Sequence, residues 1–170
     1  MAWKADNPQG NEAAKVKFDL VPYIGASGFD LGCGPAKIFE HFVGIDSGVD
    51  ARLFGTPMRP DLVVPSCERL PMFADGATDT VFSSHLLEHI EDYRGALREW
   101  WRLVKDDGYL VLYLPHADLY PRIGQPGANP DHKHDFLPED IVRAMEDVAD
   151  GWDLVVNETR AERNEYSFLQ

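Results

Sequence analysis

Short apolar runs, separated by polar segments, recur along the first two thirds of the chain. These runs predict strands over residues 28–31, 42–46, 62–64, 78–84 and 109–114. The run over 109–114 contains no charged residue, as expected of a strand covered on both faces in a parallel sheet. Two more strands are predicted near the end of the chain, over residues 152–156 and 166–170.

Amphipathic segments lie between these runs. Apolar residues at helical spacing, among them Ala96, Leu97 and Trp100, predict a helix over residues 93–104. Further helices are predicted over residues 11–23, 36–41 and 138–148, and a turn-rich surface loop over 50–60. Strands alternating with helices predict an α/β fold: a doubly wound, mostly parallel sheet in one three-layer domain, with a closing antiparallel strand. We expect this domain to span residues 1–170, with residues 1–24 as an amino-terminal helix or lid.

Composition narrows the class of protein. The chain has 170 residues and a net charge of −13, and its 16 basic residues are scattered, which argues against nucleic acid as a partner. No apolar stretch is long enough for a membrane span, and the amino terminus lacks the apolar run of a signal peptide, so we expect a cytoplasmic protein. The chain stops at Gln170 without a turn or cap, which predicts that it is part of something longer.

Two glycines and a carboxylate follow the first two predicted strands. Gly32 and Gly34, with one residue between them, permit a turn in which the backbone comes close to a ligand. Asp46 ends the next apolar run. A glycine turn after one strand and an acid after the next is typical of sites that hold a nucleoside, with the acid on the ribose hydroxyls.

Several ordered blocks resemble class I S-adenosylmethionine-dependent methyltransferases with a Rossmann-like fold. The blocks lie at residues 30–35, 44–46, 68–76, 79–90 and 97–108. The resemblance implies S-adenosylmethionine as cofactor, with Asp30, Gly32 and Gly34 at its methionine end and Asp46 at its ribose. It also places Ser66 and Cys67 beside the adenine, and Ser83, Ser84 and His85 over the sulfonium.

The sequence departs from the family at two of these positions. Ser66 stands where the family often has Asp for the adenine amino group, and Ala36 stands where a third glycine is found. Recognition of the base by backbone groups is therefore expected. A bacterial polysaccharide-modifying methyltransferase is the nearest subtype, on the loose resemblance of residues 131–136.

The segment after the fifth strand, residues 115–137, is rich in Pro, Gly, Asp and His, and we expect it to form a loop on the acceptor side. A small polar acceptor, with a sugar or polysaccharide hydroxyl as the best candidate, fits its composition. Transfer to a hydroxyl needs a base, for which His116 is the first candidate, with His134 and His132 behind it.

Several alternatives remain open from the sequence alone. His85 and His89, four residues apart with Glu88 between them, do not match the His-Glu-x-x-His zinc signature, so no metal site is predicted there. A metal held by the histidines and aspartates of the acceptor-side loop is the less favoured interpretation of that segment. A nicotinamide-dependent oxidoreductase shares the glycine turn, but its Tyr-x-x-x-Lys pair is absent. A non-catalytic cofactor-binding module of a larger protein is the other alternative.

Overall fold

The computed structural model describes residues 12–49, 58–163 and 165–170. Residues 1–11 of the predicted lid, and residues 50–57 of the predicted surface loop, therefore lie outside the described residues. Within the described residues, none of the helices has the length and apolar character required to cross a membrane.

A seven-stranded sheet, in the order β3-β2-β1-β4-β5-β7-β6, forms the centre of the molecule. Strands β1 to β5 run parallel to one another, and β7 lies antiparallel between β5 and β6. The strands are β1 Gly28–Leu31, β2 Val43–Asp46, β3 Leu62–Val63, β4 Thr78–Ser84, β5 Val104–Pro115, β6 Glu158–Thr159 and β7 Ser167–Leu169. The antiparallel strand inserted before β6 distinguishes this sheet from the 3-2-1-4-5-6 order of dinucleotide-binding folds.

Two α-helices cover one face of the sheet. Helix α1, Tyr93–Leu103, and helix α2, Pro138–Val148, pack against each other and bury Trp100 and Ile141 over the sheet. Asp92 caps α1 by accepting a hydrogen bond from Gly95 N at 2.9 Å.

Turns rather than α-helices cover the opposite face within the described residues. Val16 and Leu20, and then Ile38 and Phe42, pack there against the sheet. The backbone makes short 3-10 turns at Glu12–Lys15, Val21–Tyr23, Leu87–His89 and Ala161–Arg163. The predicted three layers and closing antiparallel strand are confirmed, but the helices expected over residues 12–23 and 36–41 of the second layer do not form.

Three predicted elements are wrong. Residues 12–23 wind as 3-10 turns instead of one regular helix, and residues 36–41 form only turns and bends. Within residues 36–41, Lys37 Nζ donates hydrogen bonds to the carbonyls of Glu40 and Phe42, at 3.1 and 3.0 Å. These bonds close the turn before a helix can continue. Residues 152–156 are not part of any strand in the described part of the chain, and β6 begins two residues later.

An ion network ties the amino-terminal turns to the last two strands. The Arg160 side chain is 1% exposed and donates to Glu165 at 2.6 Å and to Asp19 at 2.9 Å. Glu165 also accepts a hydrogen bond from Tyr113 Oη at 2.7 Å. Because each buried charge has an oppositely charged partner, this network fixes residues 12–23 over β5 and β7.

Candidate active site

The predicted glycine turn follows β1, and both glycines adopt the left-handed conformation. Gly32 has φ +71° and Gly34 has φ +58°, a region that side chains rarely adopt. A Cβ on Gly32 would lie 3.0 Å from the Leu86 side chain. Glycine is therefore required both by the backbone angle and by the segment that crosses the turn after β4.

Asp46 lies beside this turn, at the end of β2. One carboxylate oxygen accepts a hydrogen bond from Gly34 N at 3.0 Å and the other from Gly48 N at 2.7 Å. Each oxygen keeps further lone pairs, so the carboxylate can still accept from two ribose hydroxyls. The turn and the acid meet at the carboxyl ends of β1 and β2, where sheets of this kind bind their ligands. These residues fit a nucleoside cofactor.

Asp30 is turned into the protein. Its side chain accepts a hydrogen bond from Ile38 N at 2.6 Å, and the residue is 2% exposed. Burial raises the pKa of this carboxyl to about 7, against the lowering effect of the Ile38 hydrogen bond, and the nearby charge of Asp46 raises it further. Asp30 thus holds the chain that follows the glycine turn.

The remaining predicted adenine-side residues make local contacts. Ser66 Oγ accepts from Glu68 N at 3.1 Å, and Cys67 Sγ points to Ile45 O at 3.7 Å. Burial raises the pKa of the Cys67 and Cys33 thiols to about 12, so neither is a ready nucleophile.

Ser83, Ser84 and His85 end β4 beside the glycine turn. Ser83 is fully buried and its hydroxyl donates to Leu31 O at 3.3 Å, so it links β4 to β1. Ser84 Oγ is buried without a hydrogen-bond partner among the described residues. His85 has φ +50°, which breaks the strand and directs the chain across the turn. Because the 3-10 turn begins only at Leu87, His85 and His89 do not lie on one helical face, although they are four residues apart.

A buried polar cluster lies immediately after this bend. We call His85, Glu88, His89 and His132 the histidine cluster. Oε1 of Glu88 is 3.5 Å from His85 Nδ1 and 3.9 Å from Nε2 of both His89 and His132. The Glu88 side chain is 0% exposed, and burial raises its pKa to about 8. Burial also lowers the pKa of His132, and lowers that of His85 to about 3.

Backbone hydrogen bonds bring the acceptor-side loop to this cluster. Lys133 N and His134 N both donate to Glu88 O, at 2.7 and 3.2 Å, which places His132 against the carboxylate. The Tyr120 ring lies 5.3 Å from the His132 ring and 5.1 Å from the Tyr166 ring. The loop therefore contributes both a titratable side chain and aromatic surface to the end of β4.

The structure does not bring the three predicted base candidates together. His132 lies in the histidine cluster. His134 Nε2 lies 3.0 Å from Ile90 O, and its ring stacks on Phe136. His116 Nδ1 accepts a hydrogen bond from Asp118 N at 3.1 Å, so a neutral His116 carries its proton on Nε2.

Sequence reasoning missed the position of Glu88 at the centre of the cluster. The available signal was the acid between two histidines in His-Leu-Leu-Glu-His. The contribution of Tyr166, from beside β7, had no local signal.

Comparison with solved structures shows where this fold is found. The chain has the fold of solved methyltransferases. An S-adenosylmethionine-dependent methyltransferase from Archaeoglobus fulgidus aligns with a TM-score of 0.60 and 22% identity, over 81% of this chain and 68% of that one. A methyltransferase of Haloferax volcanii, solved with its Trm112 activator, aligns at 0.64 and 18%, over 89% and 72%. The [4+2]-cyclase SpnF aligns at 0.67 and 20%, over 96% and 67%.

The sequence also matches a family model. Residues 29–112, just under half of the chain, match the model of a methyltransferase domain, a stretch that includes the glycine turn, Asp46 and Glu88. A search of curated proteins found no match. The family match and the fold together support an S-adenosylmethionine-dependent methyltransferase. The sheet order and this match do not support the nicotinamide-dependent oxidoreductase.

Proposed function

We propose that the protein methylates a hydroxyl of a small polar acceptor, with a sugar as the best candidate, at the histidine cluster. One observation carries the proposal: Leu86 packs on Gly32, so the segment bearing His85, Glu88 and His89 crosses the glycine turn directly. The cofactor turn and the buried polar cluster are thus neighbours, as a cofactor and its acceptor must be.

The acceptor class follows from what surrounds the cluster. The Tyr120 and Tyr166 rings offer flat apolar surface beside histidine and carboxylate groups. A sugar presents the matching combination, with apolar ring faces and hydroxyls along its edge. Sites for small ligands commonly combine aromatic walls with a few placed polar groups.

The chain supplies alignment and a place for the proton. The bound cofactor supplies a methyl group, whose bond to sulfur breaks as the bond to the acceptor oxygen forms, leaving the electron pair on sulfur. Holding the reactants in line is worth about 7–11 kcal/mol of the barrier. The acceptor proton passes to His132, which burial keeps in its neutral form at neutral pH.

The test is a methylation assay with S-adenosylmethionine and a panel of mono- and oligosaccharides, with phenols and fatty acids as apolar comparators. Mass spectrometry detects the methylated product. We expect a sugar or another small polyol to be methylated. Methylation of apolar acceptors alone would contradict the proposed acceptor class. Cofactor binding without methylation of any acceptor would instead favour the non-catalytic cofactor-binding module.

Single variants assign the base. We expect His132→Asn to lower kcat about 100-fold or more while the affinity for S-adenosylmethionine is kept. His41→Asn, an exposed histidine away from the cluster, is the matched control and should retain activity. His116→Ala and His134→Asn test the other two candidates. A larger loss of kcat in either than in His132→Asn would move the base to that residue.

A further inference from the structure

Among the described residues, the buried Glu88 carboxylate lacks the hydrogen bonds that normally accompany a buried carboxylate. Neither of its oxygens has a hydrogen-bond partner in the described part of the chain, and the side chain is 0% exposed. An ionised carboxylate without a partner costs several kcal/mol when it is buried. Its surroundings are instead ring nitrogens, which are metal ligands when neutral.

The spacing of these groups is close to that of a metal centre. One ligand atom each from Glu88, His89 and His132 lies within 4.8 Å of the others, and both histidine Nε2 atoms are 3.9 Å from Glu88 Oε1. Metal–ligand bonds of about 2.0–2.2 Å in a tetrahedral site place neighbouring ligand atoms about 3.4 Å apart. Small side-chain rotations would bring the three atoms to that separation.

We propose that Glu88, His89 and His132 bind one divalent transition-metal ion, of which Zn²⁺ is the representative. Two imidazoles and one carboxylate favour such an ion over Mg²⁺ or Ca²⁺, which prefer oxygen ligands. Three protein ligands leave a coordination position open, as in catalytic metal sites. The His89 side chain is 30% exposed, so the open side faces solvent at that residue.

His85 completes the surroundings without being one of the three ligands. Its Nδ1 lies 3.5 Å from Glu88 Oε1, and its Nε2 lies 3.0 Å from Ser167 Oγ. The serine fixes the orientation of the ring, and the ring lies beside the carboxylate. Neighbours of this kind orient the ligands of metal centres.

The role of the ion rests on the proposed function, whereas the binding site does not. An acceptor hydroxyl at the open position would be made more acidic by the ion and would release its proton to solvent. His132 would then act as a ligand instead of a base. The ion would also fix the acceptor oxygen beside the turn that Leu86 contacts.

Metal binding can be measured without cofactor or acceptor. The purified chain is stripped with EDTA, and ZnCl₂ or CaCl₂ alone is titrated calorimetrically, with the bound metal counted by mass spectrometry. We expect one Zn²⁺ per chain and much weaker Ca²⁺ binding. Glu88→Gln and His132→Asn should each weaken Zn²⁺ binding at least about 100-fold, while His41→Asn should bind as the wild type does. The visible spectrum of the Co²⁺ form should change only in the two cluster variants.

Three results would overturn the proposal: no Zn²⁺ bound by the wild type, affinity unchanged in Glu88→Gln and His132→Asn, or equal loss in His41→Asn. Circular dichroism confirms that each variant is folded, and Glu88→Gln nearly conserves the shape of the side chain. S-adenosylmethionine binding to the stripped protein is measured separately. If the cofactor binds and Zn²⁺ does not, only the metal site fails. If Zn²⁺ binds and the cofactor does not, the proposed function fails.

Discussion

Asp30→Asn tests whether the acid before the glycine turn acts by holding the chain. The amide oxygen can still accept from Ile38 N, but the buried charge is removed. Burial raises the pKa of Asp30 from an ordinary value of 3.8 to about 7, so the folded state holds the proton more tightly than the unfolded one. At about 1.36 kcal/mol for each pKa unit, the Asp30 contribution to stability is at most about 4 kcal/mol.

Because the pKa of Asp30 is raised in the folded state, its contribution to stability decreases as the pH rises. The contribution is fully present below about pH 4 and is lost as the pH rises through about 7. Urea unfolding of both proteins from pH 4 to pH 8 should therefore show the wild type losing stability relative to Asp30→Asn. Parallel pH profiles would refute the reasoning. Calorimetry should show cofactor affinity within a few-fold of wild type, whereas a loss of 100-fold would mean that Asp30 contacts the ligand directly.

Asp79 is the control of opposite sign. Hydrogen bonds from Lys105 and Ser27 lower its pKa to about 2, so its contribution is present above about pH 4 and is lost as the pH falls through 2. Asp79→Asn should therefore destabilise the protein at pH 7 and have less effect in acid. If Asp30→Asn and Asp79→Asn shift the pH profile of stability in the same direction, the opposite pKa shifts assigned to the two acids are wrong.

Further substitutions test the scaffold and the cofactor site. Arg160→Ala should cost about 3–5 kcal/mol in urea unfolding, because it removes a buried guanidinium and leaves the largely buried Glu165 carboxylate without its cationic partner, whereas the half-exposed Arg163→Ala should cost at most about 1 kcal/mol. Equal effects would contradict the buried network. Gly32→Ala should lower the free energy of unfolding by about 1–2 kcal/mol, because alanine is strained at a φ of +71°. Adding Leu86→Ala removes the contact with the new methyl group but should not recover this loss, because the backbone angle is unchanged. Full rescue would assign the cost to the contact alone. Asp46→Ala should weaken S-adenosylmethionine binding about 10- to 100-fold by calorimetry, and unchanged affinity would remove it from the ribose site.

The elements that the sequence predicts best are those with local signals. The bounds of β1, β4 and α2 are as predicted, because a glycine turn follows β1, small polar residues end β4, and Pro138 marks a clear helix start. Over residues 12–23 the pattern is only partly correct: Val16 and Leu20 are buried, but the apolar Phe18 and Val21 are exposed, and the backbone is not the predicted regular helix. Short 3-10 turns can bury a few apolar side chains without forming a continuous apolar face.

One part of the candidate site could be predicted from the sequence, and the other part could not. The glycine turn and Asp46 are close in sequence, and their strand-end positions bring them together in any fold of this type. The histidine cluster depends on contacts between distant segments, since His132 reaches Glu88 only when Lys133 N bonds to the Glu88 carbonyl. Spacing along the chain carries no information about such a contact.

Calorimetric titration of the purified chain with S-adenosylhomocysteine and, separately, with NAD addresses the cofactor assignment without any acceptor. We expect saturable one-to-one binding of S-adenosylhomocysteine and no measurable binding of NAD. Binding of NAD without binding of S-adenosylhomocysteine would contradict the cofactor assignment.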